Sequence, residues 1–524
     1  MPHALSPDIP SPRPRLAALA AAAVLTLSAC SLIPEYQRPA APVASHWPVG
    51  GSSDAGDTAA ADLRWQDFVQ DAQLKELVQL ALQNNRDLRV AIQNIEQARA
   101  QYQIRRADQL PTVGAEARGT RSEPNPMAAL PGGGSSVSSS YTVGLGVSAW
   151  ELDFFGRVAA LKDVALADFL ATTEARKSAQ ISLVASVITT WLQLKTDTEL
   201  QALAERTLAT REQSLDLIQL RFDNGASSAL DLRQAESLVA SAKATRAEQR
   251  RRRMQDVNLL TLLVGTQVPD ALIPQLPDVA VPEAPHDPTQ PVATVAPAAD
   301  LPDFAQVPAG LPSDLLLRRP DIRAAEQQLI AANANIGAAR ANFFPRITLT
   351  GSLGRVSSDL DGLLGSGGSR AWSFGPSITL PIFDAGRNRA GLEAARAGRE
   401  IAVAQYEKAI QTAFREVADA LAGRATLGEQ ANALQEQANA ERDRYRLADL
   451  RYRNGIASFL DILDAQRSLF AVQQALAQVQ LAQRASEVQL YKALGGGWDA
   501  PAQVSGNGAN PWHTTVASRA KEAE

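Results

Sequence analysis

Cysteine, histidine and aromatic residues are all scarce in this chain of 524 residues, which holds 1 cysteine, 4 histidines and 5% aromatics. A single cysteine excludes a disulfide within the chain. His3, His46, His286 and His513 lie apart and outside every helix-like or strand-like stretch, so they offer no metal centre. HExxH, P-loop, GxSxG and CxxC patterns are missing too. With them go the common signatures of zinc, nucleotide, hydrolase and thiol chemistry, and no enzyme activity or catalytic residue is expected. Charge of one sign is also lacking: the net charge is only -5. Nucleic-acid partners usually need a basic stripe, so none is expected. The four arginines Arg250 to Arg253 point around nearly the whole circumference of a helix and read as a solvated face.

Long apolar runs are missing as well. The longest, "LAALAAAAVLTL" from Leu16 to Leu27, is too short for a spanning helix, which needs roughly 20 residues. Arg13 and Arg15 precede it and "LSAC" follows, so residues 1–29 read as an export signal outside the fold. The pattern resembles a bacterial lipobox. Cleavage would leave Cys30 first, carrying an S-diacylglyceryl and an N-acyl chain, the only covalent group or cofactor expected. Ser31 follows where an inner-membrane retention signal usually places Asp, which favours the outer membrane.

What is present is a repeat. "LRYRNGIASFLDILDAQ" (Leu450 to Gln466) nearly restates "LRFDNGASSALDLRQAE" (Leu220 to Glu236). Asp87, Arg89 and Pro111 likewise match Asp321, Arg323 and Pro345, and "WELDFFGR" at Trp150 answers "LPIFDAGR" at Leu380. Each half runs helix, strand, loop, strand, long helix, Asn-Gly turn, helix. The expected organisation is a signal peptide (1–29), a lipidated N-terminal segment (30–71), a first repeat (72–265), a Pro-rich linker (266–312), a second repeat (313–495) and a tail (496–524). Pro269 to Pro312 cannot be a long helix or a central strand.

The helices carry narrow apolar stripes, as at Val403, Tyr406, Ile410, Phe414, Val417 and Leu421, suited to coiled-coil-like packing. From Gly156 to Arg221 nothing after the start breaks a helix, and such a segment would reach about 100 Å at about 1.5 Å per residue. That suits a tube or rod. Four stretches of about 10 residues instead alternate with period two, the pattern of membrane-barrel strands. They set Val113, Ala115 and Ala117 against Glu116, Arg118 and Thr120; Tyr141, Val143, Leu145 and Val147 against Thr142 and Ser148; Ile347, Leu349 and Leu353 against Thr348, Thr350 and Ser352; and Phe374, Ile378, Leu380 and Ile382 against Ser373, Ser377 and Thr379. Half-buried soluble hairpins alternate in the same way; the outer-membrane address favours the barrel. "SEPNPMAALPGGGSSVSSS" and "SSDLDGLLGSGGSR" between the strands read as flexible outer loops. Four strands cannot close a barrel, since the smallest have about eight, and lipid tolerates no open edge. A homotrimer with about 12 strands is the natural candidate.

The chain resembles the TolC-like outer membrane efflux proteins, in particular the lipoprotein (NodT-type) subunits of RND tripartite pumps. The residues that carry the resemblance are "CSLIPEYQRP" at Cys30, "GLPSDLLLRRPDIRAAE" at Gly310, "FFPRITL" at Phe343, "PIFDAGR" at Pro381 and "YRNGIASFLDILDAQRSL" at Tyr452. The resemblance implies a mainly α chain with a β-barrel part, a trimer whose 12-stranded barrel crosses the outer membrane, and a periplasmic helical tunnel. It also implies an efflux duct for drugs and other small toxic compounds, served by a periplasmic adaptor and an inner-membrane RND pump. The Asn224-Gly225 and Asn454-Gly455 turns would be the periplasmic tips that meet the adaptor and close the tunnel.

In a trimer Asp231, Asp461 and Asp464 would each form a ring of three carboxylates, and such rings select cations or gate a pore. Helix capping is the competing reading for Asp231 and Asp461. The resemblance places Asp464 in the constriction, and Tyr452 and Arg467 where relatives bond across a closed tip. Phe222 stands opposite Tyr452 in the first half and lacks the hydroxyl. Two rival functions remain: a type I protein-secretion duct, which uses the same fold, and a purely structural periplasmic coiled coil.

Overall fold

The structure, a computed structural model, describes residues 31–48, 63–123, 137–277, 301–308, 318–365 and 368–497. Cys30, the signal segment, residues 278–300 of the linker, most of the first outer loop, the start of the Gly310 motif and the tail lie outside the described residues. The helices are α1 (Trp65–Phe68), α2 (Ala72–Asn84), α3 (Arg86–Ala107), α4 (Arg157–Asp223), α5 (Ala229–Val264), α6 (Pro320–Ala341), α7 (Leu360–Leu364), α8 (Arg387–Arg453) and α9 (Phe459–Ala493). The strands are β1 (Val113–Ser122), β2 (Ser138–Leu152), β3 (Arg346–Ser357) and β4 (Ser369–Thr379). The chain is mainly α, with one four-stranded sheet. No described helix is long and apolar enough to cross a membrane.

α4 and α8 are each unbroken over 67 residues, about 100 Å at about 1.5 Å per residue. The chain divides into two compact units, Met1–Gly51 with Asn84–Ala179 and Leu311–Asp419, and Ser52–Gln83 with Gln180–Gly310 and Ala420–Glu524. Each unit draws on both sequence halves.

The first unit holds the sheet, ordered β1-β2-β3-β4 with every pairing antiparallel. The register lines up Ala115, Leu145, Leu353 and Trp372 across all four strands, and Val113, Val147, Gly351 and Phe374 beside them. Thr348, Thr350 and Ser352 face the other way, opposite Ser377, Gly375 and Ser373. One face is thus apolar and the other polar, as the alternation predicts. A bulge between Val147 and Trp150, with Ala149 at φ 50°, breaks the simple alternation expected of β2. It returns Trp150 to the apolar face, opposite Leu349. β4 ends at Thr379, so Leu380 and Ile382 lie beyond the strand expected to hold them. The second outer loop is less loose than expected: Asp359 Oδ1 accepts the Gly362 N–H at 2.6 Å to start α7, and Arg355 Nη2 donates to the Gly365 and Gly368 carbonyls.

Residues 31–48 form a strap in the same unit. Arg340 donates to the Leu32 carbonyl at 3.1 Å and Asn333 to the Pro34 carbonyl at 2.7 Å, and Arg38 grips the Glu326 carboxylate with two bonds of 2.7 and 2.8 Å. The strap therefore runs antiparallel to α6, and Trp47 ends it by stacking on Phe414 at 4.9 Å. Gly337 is required: a Cβ there would lie 2.5 Å from Ile33 Cγ1 and 3.0 Å from its Cα. Leu32 is bonded by Arg340, six residues before β3 begins, which brings the N-terminal end of the strap to the base of the sheet.

The second unit is helical. Trp191, Ile188, Leu192, Leu194, Leu260 and Tyr491 are buried, and Phe68 stacks between Phe304 (4.9 Å) and Tyr491 (4.0 Å). The proline-rich region supplies only a single 3₁₀ turn, Asp270–Leu272, and an isolated bridge from Phe304 to Val69 among its described residues. Arg250, Arg251 and Arg252 are exposed as expected, whereas Arg253 turns inward and donates to Thr198 Oγ1 (3.2 Å) and the Pro274 carbonyl (2.9 Å).

Candidate functional site

The two Asn-Gly turns lie in the second unit and have the same geometry. The Gly225 N–H donates to the Phe222 carbonyl at 2.9 Å and the Ala226 N–H to the Arg221 carbonyl at 2.7 Å. Gly455 and Ile456 repeat this with Tyr452 and Arg451 at 2.9 and 2.8 Å. Both glycines sit at φ 72°, the left-handed conformation that ends a helix in this bonding pattern. Asn224 and Asn454 each donate Nδ2 to the carbonyl four residues back, Leu220 or Leu450, at 2.7 Å. The ends of α4, α5, α8 and α9 share one apolar core of Ile218, Leu232, Ala235, Phe459, Ile462 and Leu463, against which Tyr445 and Tyr452 pack. Around it Leu220, Leu230, Ile456 and Leu460 remain exposed.

The predicted acids divide into two kinds. Asp231 and Asp461 are helix-starting groups. Asp231 Oδ2 accepts the Ser228 backbone N–H (3.2 Å) and hydroxyl (2.7 Å), and Ser228 Oγ accepts the Asp231 N–H in return. The Ser228 hydroxyl holds the Asp231 carboxyl below the usual carboxylate range. Asp461 accepts the Ser458 N–H and hydroxyl, both at 3.0 Å. Asp464 instead lies one turn along α9 and binds two cations, Arg444 through Nη2 and Arg467 at 3.1 Å. The Arg444 bond keeps its carboxyl below the usual range. Arg444 also donates to Glu441 at 3.1 Å, so the cluster alternates in sign.

Tyr452 joins the two hairpins. Its hydroxyl accepts from Arg221 Nη1 at 2.6 Å, and the same guanidinium lies 4.9 Å from its ring centroid. Phe459 packs beside it at 5.6 Å. Sequence reasoning placed Tyr452 and Arg467 here but missed Arg221 and Arg444. The repeat carried a signal for Arg221, because "LRF" and "LRY" share the arginine. Nothing local could have announced Arg444, which meets Asp464 only because α8 and α9 run back along one another.

Comparisons with known proteins identify the family. The profile of the family described as outer membrane efflux protein matches residues 77–266 and 311–496. The solvent efflux pump outer membrane protein SrpC of Pseudomonas putida is 49% identical over 481 residues, 91% of this chain and 97% of its own. Outer membrane protein OprJ of Pseudomonas aeruginosa is 46% identical over 475 residues, covering 91% and 94%. Among solved structures, a membrane protein from Pseudomonas aeruginosa superposes with TM-score 0.79 at 44% identity, over 90% of this chain and 98% of that one. The open state of the Neisseria gonorrhoeae outer membrane channel MtrE gives 0.75 at 40% identity, over 89% and 98%. This chain is therefore an outer membrane protein, and it belongs to the outer membrane efflux protein family.

Proposed function

We propose that the protein is the passive exit duct of a tripartite efflux system, carrying drugs, solvents and other small toxic compounds across the outer membrane with no chemistry of its own. The observation that carries this is the sheet: one apolar face, one polar face and, among the described residues, two unpaired edges, β1 and β4. Free edges in lipid leave backbone groups unsatisfied, so copies must close a ring, and three copies supply about 12 strands. The polar face then lines water. Relatives named as efflux pump outer membrane proteins, such as SrpC, support a periplasmic adaptor and an inner-membrane RND pump as partners. Cys30 is lipidated, with S-diacylglyceryl and N-acyl chains, and the strap that leads from it to the base of the sheet is suited to such an anchor. The tip is the gate: the turns at Asn224, Gly225, Asn454 and Gly455 receive the adaptor, and Tyr452, Asp464 and Arg467 hold the pore shut. Asp231 and Asp461 serve it by fixing the helix starts. The test is conductance of the purified protein in planar bilayers, together with survival of a deletion strain on a broad panel of drugs and solvents. A non-conducting protein whose deletion leaves every tolerance unchanged would remove the proposal.

A further inference from the structure

The two free edges of the sheet are complementary to one another. On the apolar face β1 presents Val113, Ala115, Ala117 and Gly119, all small or medium, whereas β4 presents Trp372, Phe374, Pro376 and Ile378. Trp372 and Phe374 are 75% and 66% exposed. Three antiparallel pairings make β1 and β4 antiparallel to each other, so β4 of one copy meets β1 of the next head to tail.

Resting on the ring-forming reading above, we infer that this junction has one register, with Ala115 of the next copy opposite Ile378 and Glu123 of the next copy opposite Arg370. A slip of one residue would set apolar side chains against polar ones, so only even shifts are allowed. With Val113 opposite Ile378, Arg121 would face Arg370, which already faces Arg355 across β3 and β4. That row of three like charges is unfavourable. Two residues further along, Glu123 meets Arg370, Arg121 lies over the Trp372 ring, and Gly119 makes room for Phe374. Another two residues would carry Arg370 past Glu123 and leave it without the acid.

The same register accounts for an exposed residue just beyond β4. Leu380 falls opposite Val113, and the two are 50% and 63% exposed in the single chain. They form an apolar clasp between copies at the base of the sheet. The stagger, about six residues per copy, tilts the strands by about 45° at about 3.3 Å per residue and about 4.8 Å between strands, as barrels require.

The test uses the full lipidated chain, whose native cysteine is its only one. Ala115→Cys with Ile378→Cys reports the inferred register; Val113→Cys with Ile378→Cys reports the register two residues away. After oxidation with copper phenanthroline, the first pair should give a covalent ladder ending at the trimer, at least fivefold stronger than the second. The reverse ranking, or no link from either pair in protein that is still trimeric by native mass spectrometry, overturns the register and leaves the ring standing. Wild-type protein that is monomeric by the same measurement overturns both. Glu123→Arg should lower the temperature at which trimers dissociate, and adding Arg370→Glu should restore it; absence of that rescue overturns the Glu123–Arg370 pairing.

Discussion

Asp197 and Asp256 show how much one buried acid depends on its neighbour. They meet between α4 and α5, where Asp197 Oδ1 and Asp256 Oδ2 are both buried without a partner and Gln193 donates to Asp197 Oδ2 at 3.0 Å. Burial first, then the hydrogen bond and charge of Asp197, push the Asp256 carboxyl up to about 7, opposed only by Arg252. One proton held between the two carboxyls gives both orphan oxygens a partner. In the unfolded chain Asp titrates near about 3.9, so the folded state keeps a proton that the unfolded state has released. This stabilisation is complete below about pH 4 and is lost as pH rises through about 7. Allowing for screening of a half-exposed group, it amounts to about 1–2 kcal/mol per chain. Melting of the detergent-solubilised protein should therefore fall between pH 5.5 and 8, and Asp256→Asn should flatten that slope. At the tip, Tyr452→Phe with Arg467→Ser removes the hydroxyl that Arg221 holds and one of the two cations on Asp464. A charge-assisted bond contributes about 1.5–3 kcal/mol and the exposed Asp464 pair adds little to it, so with the effect multiplied over the copies single-channel conductance should rise. Asp464→Ala should weaken any cation preference, and Phe222 substitutions should do less. Unchanged conductance and ion preference in folded trimers would exclude the tip as the gate.

Strand and helix behaviour follow from which face each side chain takes. Leu349 lies on the apolar face opposite Pro376 and Trp150, and Thr348 on the polar face opposite Ser377. Leu349→Arg should cost about 2–4 kcal/mol near the bilayer midplane, whereas Thr348→Arg faces water and should be milder. Equal loss of assembled trimer from both would argue against a lipid-facing strand. Among the helices, Asn85 is a buried N-cap whose Oδ1 accepts the Leu88 N–H at 2.8 Å. Asn85→Ala should cost about 1 kcal/mol, visible as a lower melting temperature with conductance unchanged.

For the whole molecule, the proposed lipid anchor and the barrel would be two separate holds on the membrane. Cys30→Ser should abolish the lipid mass on the N-terminal peptide and leave the signal uncleaved. The barrel still inserts, so partial efflux should persist. Mature protein that begins at residue 30 and still carries label would sink the lipobox reading.

Period and repetition were legible from the sequence alone. Alternation in four short stretches settled which residues share a sheet face, because side chains in a strand must point to opposite sides. An unbroken run without proline or glycine settled the 67-residue α4. The two Asn-Gly stretches settled the turns, because a left-handed residue is needed where one helix reverses into the next. Helix capping by Asp231 and Asp461 was readable only as one of two alternatives, and the structure shows it in the bonds to Ser228 and Ser458. Only the tertiary structure decided what depends on residues far apart in the chain: the bulge that returns Trp150 to the apolar face, the strap of residues 31–48 on α6, and the Arg221–Tyr452 and Arg444–Asp464 pairs. Local sequence sets the conformation of a segment; which side chains meet across hairpins is set by how those segments pack.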